Sequence, residues 1–335
     1  MGDTLLDRYE ALLFDLDGTV YHGTRPIPGA ADAVAHVRER GRAVRFVTNN
    51  AAKSPEAVAD HLGQVGVPAT PAEVSTSAQA AAVLLGERLP AGAVVLVVGT
   101  ESLEAEVRSV GLRPTREHSR DVAAVVQGHS PHTCWSDLAE ACLAVRDGAL
   151  WVACNGDATL PAERGQLPGN GSMVAALRTA TGRHPEVAGK PEAHLLRTAA
   201  DSAGAANALV VGDRLDTDIA GAAAAGYRSL AVLTGVVTPR QLLDAAPGER
   251  PDYLAADLGV LPRDVNAADL AIGPRPGWEI ELHDGVATVG TDGASTADRV
   301  DLLRHLCHVA WSSPVSAVRA RDAVADEALA SWDLH

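Results

Sequence analysis

The chain predicts an α/β fold built on parallel sheets, with one α/β domain inserted into another and a small α+β extension at the end. Short apolar runs alternate with amphipathic helical stretches from residue 11 to about 250, the pattern of buried parallel strands joined by crossover helices. Hydrophobic residues make up 47% of the 335 but aromatics only 3%, so the core must close with Ala, Val and Leu in helix-on-sheet layers. Past Leu261-Pro262 the pattern changes to polar and apolar alternation around Asp284-Gly285, a two-residue hairpin signal.

Taken in order, residues 11–15 read as a buried strand, and 30–40 as a helix opened by Pro28 and closed by Gly41. A second strand covers 44–48. Ser54-Pro55-Glu56 supplies an N-cap, a first-turn proline and an early acid for a helix that stops near Gly66, and another helix is expected over 77–88. The alternation then restarts: strand 94–98, helix 103–110, strand 122–127, helix 137–145, strand 150–153. The Gly/Pro-rich run 161–171 is expected to be a long loop, leading into helix 172–181. Helix 192–202, strand 208–211, helix 217–225, strand 229–233 and a late helix over 239–246 complete the first domain. The division that follows is 1–85 with 186–262 as core, 86–185 as insertion, and 263–335 as extension. In the extension, strands 278–282 and 286–289 form the hairpin, and 300–311 and 317–332 read as amphipathic helices. There is no internal repeat, heptad pattern or low-complexity segment.

A formal charge of −15 argues against a large nucleic-acid or anionic-membrane surface, since both need clustered Lys and Arg. A cation or a small, locally captured anion fits better. Cys134, Cys142, Cys154 and Cys307 show no CxxC spacing, which suits a reduced, cytoplasmic protein. The first ten residues are charged and lack an apolar signal core, and no stretch approaches eighteen apolar residues. Of the 28 basic residues, only Lys53 and Lys190 are lysines. Each therefore merits notice, because a compact ammonium does what a planar guanidinium cannot.

Four segments carry chemistry. Asp15-Leu16-Asp17-Gly18-Thr19 follows the first strand and places two carboxylates where a nucleophile and a second acid/base group would stand. Glycine at the fourth position, with Pro26 at the twelfth, does not fit an EF-hand loop, although a plain strand-to-turn transition stays open on this segment alone. Thr48-Asn49-Asn50 ends the second strand; its hydroxyl and amides can donate to phosphate oxygens, and an Asx turn is the alternative. Lys190 precedes Pro191-Glu192 at a helix start, where its ammonium could neutralise a phosphoryl oxygen or simply be solvated. Gly212-Asp213-Arg214-Leu215-Asp216-Thr217-Asp218 ends a third strand with three acids in six residues. Hard oxygens there suit Mg²⁺, while first-turn decoration by the helix dipole describes Asp216 well and Asp213 poorly.

In this order the four segments resemble the motifs of the haloacid dehalogenase (HAD) superfamily, most closely its type IIA phosphatases, over residues 11 to about 260. The resemblance implies a HAD-like Rossmannoid parallel sheet core and a Mg²⁺-dependent phosphomonoesterase. In it Asp15 is the nucleophile that becomes a phosphoaspartate, and Asp17 the acid/base. Thr48, Asn49 and Lys190 bind phosphate; Asp15, the main-chain carbonyl of Asp17 and Asp213 hold Mg²⁺; Asp218 supports them. Thr48 comes only 33 positions after Asp15, whereas Lys190 comes 142 positions after Thr48, so the cap falls in the second gap, as in type II caps. Within it, Asn155-Gly156-Asp157 and Gly169-Asn170-Gly171 resemble the segments that shape the leaving-group side, with ordinary turn and N-cap chemistry as the alternative.

The glycine-rich cap run and the tail, which looks like part of an acetyltransferase fold, resemble bacterial glycerol 3-phosphate phosphatases of this subclass. That implies a small phosphorylated metabolite, glycerol 3-phosphate first, with sugar phosphates, phosphoglycolate, pyridoxal phosphate or nitrophenyl phosphate as alternatives. Dimerisation through the cap is common in the family, so a homodimer is among the states it allows. Two other classes weigh less. Residues 263–335 hold no Arg/Gln-x-x-Gly-x-Gly/Ala pyrophosphate cradle and are too few for a whole acetyltransferase, and a catalytically dead binding module would show a damaged motif. His129-x-x-His132 lacks partners at zinc-ligand spacing.

Overall fold

Four apolar residues in a row make a strand that needs cover on both faces, and Ala11–Phe14 is buried at every position. In the computed structural model, which describes residues 3–162, 165–291, 293 and 298–334, this strand pairs in parallel with Ala208–Gly212, itself buried throughout. Arg228–Val232 and Tyr253–Ala255 continue the parallel array. Contacts group the chain into two units, residues 1–44 with 205–335 and residues 45–204.

In the first unit the expected helix over 217–225 is two pieces, a π-helical turn Leu215–Ile219 and a short α-helix Ala220–Ala225. Gly226 ends the second piece in the left-handed conformation. The extension departs further from expectation. Its hairpin forms as anticipated, Trp278–His283 against Val286–Thr291, with Asp284 and Gly285 both at positive φ, as a primed two-residue turn requires. Helix Arg299–Ser312 also forms. Residues 317–332, however, are not one helix: Ala317–Ala320 is a third strand parallel to Val286–Thr291, and the helix begins only at Ala323. The reason lies at Asp322, whose carboxylate accepts from Ala325 N and from Thr291 N, capping the helix and tying its start to the sheet. The extension shares one apolar core with this unit: Trp278, Leu302, Leu306, Val318 and Leu329 lie in the same buried cluster as Leu215, Ile219, Leu242 and Leu254.

In the second unit Phe46, Val47 and Thr48, the end of strand Ala43–Thr48, pair in parallel with Val74–Thr76. A separate five-stranded sheet, parallel throughout, runs in the order Glu186–Val187, Leu150–Ala153, Val122–Gln127, Val94–Val98, Arg113–Thr115. Helices Trp135–Arg146 and Asn170–Thr181 cover one face of it through Ala141, Ala144, Val174 and Leu177. The expected loop over 161–171 is instead largely a hairpin, Thr159–Ala162 against Gly165–Pro168, with residues 163–164 outside the described set. Its two prolines, Pro161 and Pro168, lie in an isolated two-stranded ribbon, where the missing N–H is tolerated. No helix among the described residues is long and apolar enough to cross a membrane.

Candidate active site

Asp15 stands directly at the end of the first strand, its N–H still donating to Val211 O at 2.8 Å as a ladder bond. The chain then turns: Leu16 O accepts from Thr19, Val20 and Tyr21 N, and Gly18 N donates to Tyr21 O. This turn leaves the Asp17 side chain 58% exposed, 4.0 Å from His22 Nδ1. A group that exchanges protons with a leaving group and with water needs such access. Burial, and then the negative charges of Asp15 and Asp17, push the Tyr21 hydroxyl above its ordinary value and keep it protonated.

Asp213 follows the strand Ala208–Gly212 and is fully buried. Its Oδ2 accepts from Val236 N at 2.6 Å, and Thr234 Oγ1 donates to Gly18 O at 2.6 Å. The loop 233–237 is thereby fastened both to Asp213 and to the turn after Asp15. Glycine at 235 is obligatory for this: a Cβ there would lie 1.9 Å from Asp213 Oδ2. Asp218, 1% exposed, accepts from Arg214 N at 3.1 Å through the π-helical turn. Asp216 points elsewhere, ion-paired with Arg214 and exposed, as helix-start decoration would be.

Carboxylate oxygens of Asp15, Asp213 and Asp218 lie within 4.8 Å of one another. Three anions gathered so closely, two of them out of water, repel strongly unless a cation offsets them. All the donors are hard oxygens, two at adjacent strand ends and Asp218 in the π-helical turn that follows, so the residues present fit Mg²⁺. Asp218, expected only to support, belongs to this group; the Asp17 side chain does not, and the ligand expected of that residue is its main-chain carbonyl. The site holds no comparable set at His129 and His132 among the described residues.

In the second unit Thr48 Oγ1 accepts from Asn50 N at 3.1 Å, which leaves the hydroxyl proton for donation. Lys190 is 2% exposed, with Nζ 3.5 Å from Val47 O. The Asn49 side chain grips the Lys190 main chain from both sides: Oδ1 accepts from Lys190 N at 2.8 Å, and Nδ2 donates to Lys190 O at 3.0 Å. The same Nδ2 lies 3.3 Å from both Asp157 carboxylate oxygens. Gly189 permits the grip, since a Cβ there would stand 2.6 Å from Asn49 Oδ1 and 2.5 Å from Cys154 O. Asn155 and Asn170 are buried, their amides turned to main-chain carbonyls. Gly169 closes the hairpin against Asp157 O, which a Cβ would meet at 2.3 Å. Sequence reasoning missed the loop 233–237 and the grip of Asn49; neither has a local signal beyond the glycines at 235 and 189.

Carboxylates converging at the ends of parallel strands, one of them in an Asp-x-Asp-Gly turn, define a metal-dependent hydrolase with an aspartate at its centre. The chain belongs to the haloacid dehalogenase-like hydrolases, within their IIA phosphatase group: the haloacid dehalogenase-like hydrolase model matches residues 12–113 and the HAD-hydrolase-like model residues 187–261. A GCN5-related N-acetyltransferase-like model matches residues 275–334. A D-glycerol 3-phosphate phosphatase of Mycobacterium tuberculosis is 48% identical over 99% of this chain and 96% of its own length. A 5'-nucleotidase of Bacillus subtilis is 37% identical over 70% of this chain and 91% of its own. Among solved structures, a glycerol phosphate phosphatase from M. tuberculosis in complex with magnesium superposes over 100% of both chains with a TM-score of 0.94 at 48% identity. A 4-nitrophenylphosphatase from Thermotoga maritima covers 77% of this chain and 98% of its own, at 0.71 and 29%.

Proposed function

We propose that the protein is a Mg²⁺-dependent phosphomonoester phosphatase that hydrolyses glycerol 3-phosphate through a phosphoaspartate. The clustering of Asp15, Asp213 and Asp218 carries this reading, because a carboxylate attacks an anionic phosphate only when a cation offsets their repulsion. Asp15, Asp213 and the main-chain carbonyl of Asp17 would hold the ion, with Asp218 beside them. When bound, Mg²⁺ supplies charge neutralisation and orientation of the phosphoryl group.

An Asp15 oxygen attacks phosphorus as the bond to the glycerol oxygen breaks, and Asp17 gives its proton to the departing alkoxide. Asp17, now a carboxylate, takes a proton from water; that water attacks phosphorus, the bond to Asp15 breaks, and inorganic phosphate leaves. Thr48, Asn49 and Lys190 serve the phosphoryl oxygens. Residues 86–185 act as the substrate-selecting cap on a core of 1–85 and 186–262, with Asn155, Asp157, Gly169 and Asn170 shaping the leaving-group side. The net charge of −15 and four unbridged cysteines support a cytoplasmic enzyme without nucleic-acid or membrane partners.

The test is a panel of phosphomonoesters ranked by kcat/KM in Mg²⁺: glycerol 3-phosphate, a 5'-nucleotide, a sugar phosphate, phosphoglycolate, pyridoxal phosphate and nitrophenyl phosphate. Glycerol 3-phosphate is expected to lead. Another ester ahead of it by about tenfold, or 1.4 kcal/mol of transition-state stabilisation, overturns the substrate; no turnover of any ester overturns the activity.

A further inference from the structure

Asn49, itself half-buried, is the last member of a run of side-chain amides whose first two members, Asn170 and Asn155, are buried and which starts against the five-stranded sheet at Gln127 O. Asn170 Nδ2 donates to two carbonyls, Gln127 O at 3.2 Å and Asn155 O at 2.7 Å. Asn155 Nδ2 in turn donates to Asn49 O at 2.7 Å. Asn49 then holds Lys190 N–H and C=O in its two-point grip. Asn155 and Asn170 are 4% and 2% exposed, so this chain runs through dry protein, where each bond is strong and each lost bond is costly.

The arrangement is poorly explained by stability. Asn170 Oδ1 and the neighbouring Gln127 Nε2 are buried with no hydrogen-bond partner among the described residues. A core chosen for stability alone would place apolar groups there, since an unpaired buried polar atom disfavours folding. What the amides do uniquely is fix the orientation of the next peptide in line. Each donated bond selects one direction for a carbonyl, and the last selects the direction of the peptide that carries Lys190.

We propose that Asn155 and Asn170 are positioning residues, acting through Asn49 to orient Lys190. This rests on the phosphatase reading, in which Lys190 serves the phosphoryl group. The two residues do not themselves touch the reacting atoms. Their effect is carried by two successive contacts at main-chain carbonyls, Asn170 to Asn155 and Asn155 to Asn49.

The scarcity of lysine supplies a direct readout. Protein labelled with ¹³C,¹⁵N-lysine shows two lysine spin systems, Lys53 and Lys190. Asn170→Ala and Asn155→Ser are expected to shift the Lys190 amide and Cε signals and leave those of Lys53 in place. In turnover, Asn170→Ala should lower kcat/KM by about tenfold, the size of coupling within one network, yet change it less than about twofold when Asn49 is already alanine. Asn155→Ser is the second variant should Asn170→Ala fold poorly. Loss of thermal stability with unmoved Lys190 signals, or additive kinetic effects in the Asn49→Ala background, overturns the relay. Because the spectra report on Lys190 without turnover, an inactive wild-type protein would overturn the phosphatase reading and still let the relay stand or fall.

Discussion

The carboxylate cluster and the lysine region solve one problem, holding a charged side chain out of water, in opposite ways. Asp213 and Asp218 are held by main-chain N–H groups, Val236 and Arg214, and by the absence of a side chain at Gly235. Lys190 is held by a side-chain amide that grips its peptide, with further amides behind it. Main-chain donors and glycine clearances leave no room for adjustment. Side-chain amides can be trimmed one at a time, so the first region should fail abruptly and the second by degrees.

The largest effect tests the cluster at its centre. Asp15→Asn should fold normally and lose at least about 10⁴-fold in kcat, as removal of a nucleophile does; near-wild-type turnover would sink the phosphoaspartate. Next is Asp213→Asn. It should weaken Mg²⁺ binding by more than about 100-fold, the upper end for groups that only support a ligand, and abolish the rise in Tm that Mg²⁺ gives the wild-type protein. A melt that still responds to Mg²⁺ would remove Asp213 from the ligand set. Gly235→Ala should behave abruptly too, costing about 1–3 kcal/mol as overpacking together with the Mg²⁺ response, measured in the same melts.

The smallest effects sharpen the contrast. Thr234→Val removes the bond to Gly18 O beside the cluster, and Ser77→Ala removes the 2.6 Å bond from Ser77 Oγ to Asn49 O in the amide region. Each should cost about 1 kcal/mol in denaturant melts. Only Thr234→Val is expected to change the Mg²⁺ concentration for half-maximal rate. Equal sensitivity to Mg²⁺ in both variants would erase the distinction between the two regions.

Strands 94–98, 122–127 and 150–153 agree with their sequence expectation end to end, because each is built on an apolar run of four or five residues that is mostly buried. Val74–Thr76, Arg113–Thr115, Glu186–Val187 and Tyr253–Ala255 were not legible. These are two or three residues long and form only because a longer neighbour offers a free ladder. Ala317–Ala320 failed for the same reason: its register against Val286–Val289 supplies the pairing that the local pattern lacks. At the site, Asp15, Asp17, Thr48 and Asp213 were expected from residue type at strand ends, and Lys190 from the scarcity of lysine and its place before a helix. Asn49's grip was not, since its partners lie 141 residues away in the chain.

By itself the sequence determined the parallel α/β class, the strand ends that carry the acids, and the conspicuous lysine at 190, because these depend on local periodicity and residue chemistry. Tertiary structure alone decided that Asp218 joins Asp15 and Asp213, that Gly235 clears room for Asp213, and that the Asn49 amide grips the peptide of Lys190. Each of those is a matter of distance between segments far apart in sequence, and a pattern of residue types carries no distances.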